Sequence, residues 1–433
     1  MTIFSYNFPS TIEHRLLFNL KKSTVDYISL LDGFLIVALK ISFYFCIFGV
    51  MCAIIGSLLP GGLGDVLNKF FSVKHVISRD DSSGDMDIVS SKIKDSANLS
   101  LSLRDEDKLY LEKLLKKHRA DNASAWMCIF WTILHFLVSL NFLHFYPCSL
   151  SIILMGMNIV RNFMIFHDAC HMSFFPNANH NKILSQVLST FVPQSSSDWT
   201  ASHNFHHSHL GDSSFMDLSL TIWFNKSEYE HMPFFVKLGF RIIRDPILLP
   251  FILSAWVFII FPFIKSPLET LLLRLLFYAP LYFFLGWRTT LLYLTSSWVG
   301  GMIGLQLFHL QHQCNTPYRV DHRTHSSWDA GILGSTHLLV SWPINLMTLG
   351  IEFHHIHHAS TRVPGYNLAK CHSEGEAVFG HGWCRLGVNR VGPVKAFLSS
   401  FHTLFDSNKE TVVGQAAPRF VSFEPYQSLG LHD

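Results

Sequence analysis

Charge is scarce in this chain. Asp, Glu, Lys and Arg make up only 15% of its 433 residues, against roughly 25% in a soluble domain. The 33 basic and 31 acidic side chains leave a formal net charge of +2, which says nothing by itself about nucleic acid, and no nucleic-acid partner is expected. Disulfide chemistry is also missing. Eight cysteines, at 46, 52, 128, 148, 170, 314, 371 and 384, form no CxxC pair and no spaced framework, so they read as reduced packing residues. No internal repeat is evident. The acidic Glu13 and Asp26 argue against a transit peptide, and the first apolar stretch begins near residue 34 and is too long for a cleaved signal.

What fills the chain instead is hydrocarbon, with 49% hydrophobic residues and 39 Phe. Spanning a bilayer takes about 20 apolar residues. One candidate runs over about 34–60, with Lys40 snorkelling at its start. Two more, 125–145 and 148–166, are separated only by Tyr146-Pro147 and must form an antiparallel hairpin. Three others follow at 247–264, 268–287 and 289–308. Basic residues (Arg104, Lys108, Lys113, Lys116, Lys117 and Arg119) precede Trp126 and none occupies the Tyr146-Pro147 turn, so the former side is expected to be cytoplasmic. Residues 75–100 read as a flexible cytoplasmic linker. Leu111, Leu114 and Leu115 share one face of a Lys/Glu-rich segment, as in an amphipathic helix on the membrane surface, with an ordinary solvated helix as the alternative.

Three histidine clusters carry the chemistry: His167-Asp168-Ala169-Cys170-His171, His203-Asn204-Phe205-His206-His207 and His354-His355-Ile356-His357-His358. A helix advances roughly 100° and 1.5 Å per residue. The i, i+4 pair and the two i, i+3, i+4 triplets are therefore each expected to aim at one point. Eight imidazoles exceed what one four-coordinate zinc uses and suit two metals with four or five ligands each. If all three clusters share one site, an even number of crossings separates His207 from His354, so one of the three late apolar segments does not cross. Charge counting throws suspicion on 268–287, which contains Arg274; the alternative is that 247–264, flanked by Pro246, Pro250 and Pro262, lies in the interface. Imidazole suits several metals, and iron is preferred here because an open dinuclear site in a hydrophobic membrane protein is equipped for oxygen activation. Glu352 and His355 read as neighbours of the third cluster, not ligands. His118, His135, His144, His180, His231, His337, His372 and His402 read as ordinary polar or surface residues, and Cys170 as packing.

The three clusters have the patterns HxxxH, HxxHH and HxxHH, and here the chain resembles the membrane fatty acid desaturases over about residues 126–413. The segments Gln311-His312-Gln313, Phe353 to His358 and Thr361-Arg362-Val363-Pro364-Gly365-Tyr366-Asn367-Leu368 are similar to the Δ12 (omega-6) acyl-lipid branch, as is His203 to Asp212. Two departures stand out. Cys170 occupies a position where glycine commonly precedes the second histidine, and the segment before residue 61 has no counterpart in shorter relatives. Within it, Leu59-Pro60-Gly61-Gly62 is faintly similar to a fused cytochrome b5 haem loop but lacks the histidine.

The resemblance implies an all-α integral membrane fold in which transmembrane hairpins carry a cytoplasmic, histidine-rich di-iron domain over 126–433, after an N-terminal extension over 1–125. It implies two irons bound by His167, His171, His203, His206, His207, His354, His357 and His358, with a ninth ligand from outside the boxes at His312; His309 is its competitor. It also implies that 268–287 and 289–308 are the crossings, with 247–264 interfacial. No catalytic residue separate from the metals is expected. The implied partners are O2, an acyl-lipid or acyl-CoA substrate, and an external cytochrome b5 with its reductase, or ferredoxin. An endoplasmic reticulum membrane fits best; a bacterial inner or plastid membrane is the alternative. An acyl hydroxylase, conjugase or acetylenase could use the same scaffold. A metal transporter would need ligands at the bilayer midplane, and a zinc-dependent lipid hydrolase would need fewer of them.

Overall fold

A computed structural model describes residues 104–192, 194–212, 224–314, 318, 320, 325–406 and 419–422. The apolar segment at 34–60, the linker at 75–100 and the rest of residues 1–103 lie outside these residues. The described chain is mostly helical. Helix α1 (Asp105–Lys117) precedes the hairpin of α2 (Asn122–Phe145) and α3 (Ser149–Cys170), then α4 (Ala178–Phe191) and α5 (Ser196–His209). Short helices α6 (Lys226–His231) and α7 (Phe234–Arg244) lead to α8 (Leu249–Lys265), which contains a π-helical stretch at Trp256–Ile260, and to the long α9 (Pro267–Gln313). Beyond it lie α10 (Ser327–Leu333), α11 (Trp342–Thr348), α12 (His354–Ala359), α13 (Gly365–Phe379) and α14 (Pro393–Ser399).

The all-α expectation missed five short strands among the described residues. β1 (Phe224–Asn225), β4 (His402–Asp406) and β5 (Arg419–Ser422) form one sheet in the order β1-β4-β5, and β2 (Thr336–Leu338) pairs in parallel with β3 (Asn389–Val391). At two to five residues each, they are too short to produce a readable period-2 pattern.

Helices α2, α3 and α9 are long and apolar enough to cross a membrane. Their outer faces expose Trp126, Phe130, Trp131, Phe283, Phe284 and Leu291, a band of large apolar side chains that only lipid would cover. α9 is two helices in succession. Gly286 has φ 78°, ψ 170°, a conformation costly for a residue with a Cβ, and the chain turns back there. The rings of Phe277 and Tyr293 are 4.9 Å apart, whereas sixteen residues of straight helix would separate them by about 24 Å. The limbs at 267–285 and 287–313 are thus an antiparallel pair, each long enough to span.

α8 behaves differently. Its axis is bent 94° from α7, and both its ends touch the histidine-bearing side. Arg244, just before it, donates to Gln313 Oε1 (2.9 Å), and Ser266, just after it, donates to Asp198 on α5 (2.6 Å). This corrects the suspicion that charge counting threw on 268–287. Arg274 lies on the first limb, but its guanidinium reaches back to the carbonyl of Phe258 on α8, so a charge within an apolar run is answered by the neighbouring helix.

α1 also departs from expectation. Leu111, Leu114 and Leu115 are buried among Ile332, Ile356, Val363, Leu368 and Trp383. The apolar face predicted to meet the membrane surface instead packs on α12 and α13, behind the third histidine cluster. Lys117 and His118 hold Glu374 of α13 at 2.5 and 2.9 Å.

Candidate metal centre

The first cluster sits at the end of α3, which extends past the apolar run to Cys170 with His171 as its C-cap. The second occupies the last turns of α5, and the third forms α12. His312 comes from the last turn of α9, beyond the level where the hairpin is lipid-facing. These four elements bring nine imidazoles into two groups. His167, His171, His203, His207 and His357 form one, and His206, His312, His354 and His358 the other; in each, one ring nitrogen per residue lies within 4.8 Å of all the others.

The expectation that each box aims at a single point is overturned. The second box sends His203 and His207 to the first group and His206 to the second, and the third sends His354 and His358 to the second and His357 to the first. On a helix, i+4 stands about 40° from i, while i+3 stands about 60° away on the other side. Residues i and i+4 therefore share a target and i+3 diverges by about 100° from i+4.

The contacts run through Nε2. His167 to His203 and His203 to His207 are 3.1 Å apart, and His207 to His357 3.0 Å. In the second group the separations are 3.2 Å (His206 to His312), 2.9 Å (His312 to His354) and 3.0 Å (His354 to His358). Burial, and then the neighbouring imidazoles, keeps His171, His203, His207, His354, His357 and His358 well below the ordinary histidine pKa, so they are neutral. Where the other ring nitrogen is engaged, it acts as the donor: His167 Nδ1 to Asp168 Oδ1 (2.9 Å) and His312 Nδ1 to the Gly334 carbonyl (3.1 Å). That leaves Nε2 lone pairs facing one another, which repel unless a cation lies between them. His171 Nε2 is buried with no hydrogen-bond partner, as a nitrogen reserved for a metal would be. The residues present therefore fit two metal ions.

His309, the competitor, lies outside both groups, with Nδ1 3.4 Å from Arg244 Nη1. His355 points away from the centre. Its Nε2 is 3.3 Å from His372 Nδ1, and its ring packs on Trp383. His337, His372 and His402, read as ordinary polar or surface residues, are buried. Glu352 is buried too, accepts from the Thr348 hydroxyl at 2.7 Å and belongs to neither group. Cys170 packs among Phe166, Phe174 and Leu188 and belongs to neither group.

Asp168 is the residue that sequence reasoning missed. Besides His167 it accepts from the Gly365 backbone N–H at 2.6 Å, tying the first cluster to the start of α13. Its place beside the first histidine was a usable signal. Trp199, one turn before His203, stacks on that imidazole at 4.3 Å. The Gly334 carbonyl has no signature in sequence at all.

Both groups border an apolar cavity of about 600 Å³. His167, His203 and His354 stand at its edge, and Phe163, Trp199, Phe258, Leu305 and Phe308 are among its walls. A membrane-embedded helical protein with histidine clusters at the mouth of a hydrocarbon-lined cavity is the class these features define. The model of the family described as fatty acid desaturase matches residues 140–385, more than half of the chain, and the protein belongs to that family. It is similar to a fatty acid desaturase of Bacillus subtilis (strain 168), 29% identical over 253 residues that cover 55% of this chain and 71% of that protein.

Proposed function

We propose that this protein introduces a cis double bond into the acyl chain of a membrane lipid, in the Δ12 (omega-6) manner, using O2 and two irons. The observation that carries this reading is the convergence of nine histidine nitrogens, five and four, at the edge of an apolar cavity. His167, His171, His203, His207 and His357 would hold one iron, and His206, His312, His354 and His358 the other. When bound, the irons supply the redox chemistry by which O2 takes two hydrogens from adjacent methylenes and, with two electrons and two protons, leaves as two waters. The chain's own residues align and shield. Asp168 and Gly334 orient the imidazoles, and the Phe, Trp and Leu walls hold an acyl chain beside them while excluding water.

The electrons come from an external cytochrome b5 or ferredoxin, and the substrate is an acyl-lipid or acyl-CoA. The basic residues before Trp126 support a cytoplasmic catalytic side, in an endoplasmic reticulum membrane, with 126–433 as the catalytic domain after an N-terminal extension. Expression in a yeast host with fatty-acid profiling tests the reading: a new methylene-interrupted diene is expected. Hydroxylated or conjugated products would move the protein to another chemistry on this scaffold. Purified protein should carry about two irons per chain; a single zinc and no oxygen-dependent product would refute the proposal.

A further inference from the structure

The second limb of α9 places three glycines along the cavity wall: Gly300, Gly301 and Gly304. Two are required by packing. A Cβ on Gly300 would stand 2.6 Å from the carbonyl oxygen of Gly156 on α3, and one on Gly301 would stand 2.6 Å from the Ser254 hydroxyl on α8. Gly304 has no such constraint. The nearest atom to a Cβ there is Val160 Cγ2 at 3.9 Å, an ordinary contact. A glycine inside a helix is less favourable than alanine, and at this position no close helix approach offsets it. What the missing side chain leaves is open space on the cavity side.

Gly304 lies eight residues before His312 on the same helix, about 12 Å along its axis. Between them Phe308 and Leu305 line the wall, and on the membrane side of Gly304 the cavity continues past Ile159, Phe191, Leu294 and Tyr278. Those walls suit hydrocarbon and not a head group, so an acyl chain lying against His167, His203 and His354 would send its methyl end in this direction. We propose that Gly304 is a specificity-determining position. Gly304 and Val160 stand side by side in the cavity wall, and the space that the missing side chain leaves over Gly304 sets how long a methyl-terminal segment the membrane-side end of the cavity accepts. This rests on the acyl desaturase reading.

The test compares wild type, Gly304→Ala and Gly304→Leu as full chains in a yeast host, with palmitoleoyl and oleoyl conversion measured in the same cells. Palmitoyl and stearoyl give the equivalent comparison if saturated chains are taken. A misfit of one methylene in an apolar pocket is worth roughly 10- to 200-fold. Gly304→Leu should therefore lower the ratio of longer- to shorter-chain conversion by at least about ten-fold, and Gly304→Ala, which the 3.9 Å clearance accommodates, should shift it in the same direction by less. An unchanged ratio in the alanine variant, or an equal loss for both chain lengths at matched expression and iron content, overturns the role of Gly304 alone. A wild-type protein that converts none of these chains overturns the desaturase reading and this inference with it.

Discussion

Replacing Asp168 by Asn leaves the side chain's size unchanged but removes half of its capacity to accept hydrogen bonds. The carboxylate serves two donors, His167 Nδ1 at 2.9 Å and the Gly365 N–H at 2.6 Å, and the residue is 3% exposed, so water cannot replace a lost partner. An amide offers one oxygen and one NH2 group, and one of the two donors must then face another donor. If it is the Gly365 N–H, a buried unsatisfied group costs about 1–3 kcal/mol of stability. If it is His167, the imidazole loses the contact that fixes its tautomer, and losses of this kind lower metal affinity or activity by about 10- to 100-fold, equivalent to about 1.4–2.7 kcal/mol. Asp168→Ala abandons both donors and should show both effects. The assay pairs iron retention during dialysis against a chelator with the thermal midpoint in detergent. For Asp168→Asn, a loss in at least one readout is expected; for Asp168→Ala, a loss in both. Iron retention and midpoint at wild-type levels in Asp168→Ala would falsify the claim that this carboxylate orients the site.

The ninth ligand is tested by His312→Ala, which should abolish desaturation at normal membrane insertion, while His309→Ala, whose ring contacts Arg244, should keep measurable activity; the reverse pattern in whole-cell lipid profiles would show that the geometry has been misread. A pH effect follows from His372, which burial lowers to about 4 despite the opposing pull of Glu376, and from His337, lowered to about 3 by burial, with His372 and Arg390 adding to it. The unfolded histidine titrates near about 6.5, so the unfolded chain takes up more protons below that value. The stability these neutral rings contribute is complete above it and is lost as pH falls towards about 4. His372→Asn should flatten the acid limb of a melting-temperature profile relative to wild type, and parallel limbs would count against it. The orientation predicts that the sequons at Asn98, outside the described residues, and Asn122 stay unglycosylated in a secretory-pathway membrane; a mobility shift on deglycosylation would reverse it.

Much of the helical framework was legible because its causes are local. The Tyr146-Pro147 turn between two apolar runs could only join an antiparallel pair, and α2 and α3 have those bounds to within a few residues. What escaped was tertiary. The leucine face of α1 had two possible apolar partners, lipid or protein, and nothing in its own sequence distinguishes them; the choice lies in Ile356 and Trp383, more than two hundred residues away. Arg274 looked like a reason against a crossing because its acceptor is a backbone carbonyl on another helix, and carbonyls leave no trace in a sequence. The same holds for His312, whose orientation depends on Gly334.

The division of the nine histidines nevertheless follows from helix geometry once the divergence of i+3 from i+4 is taken into account. The HxxxH box contains only an i, i+4 pair, so both of its members, His167 and His171, serve one group. An HxxHH box has a member at i+3 as well, and that member must turn to the other group. A single such helix therefore serves both groups and cannot serve one alone. The second box gives its pair to the first group and its third histidine to the second; α12 does the opposite. The three boxes alone leave five nitrogens on one side and three on the other. A histidine from outside the boxes, aimed at the poorer group, narrows the difference to five and four: His312 joins His206, His354 and His358 there. The resemblance pointed to that residue by its position alone. The rotation between i+3 and i+4 supplies the physical reason: two helices that serve both groups and one that serves a single group produce an unequal pair of sites, and the hairpin of α9 extends beyond its lipid-facing length to narrow the deficit.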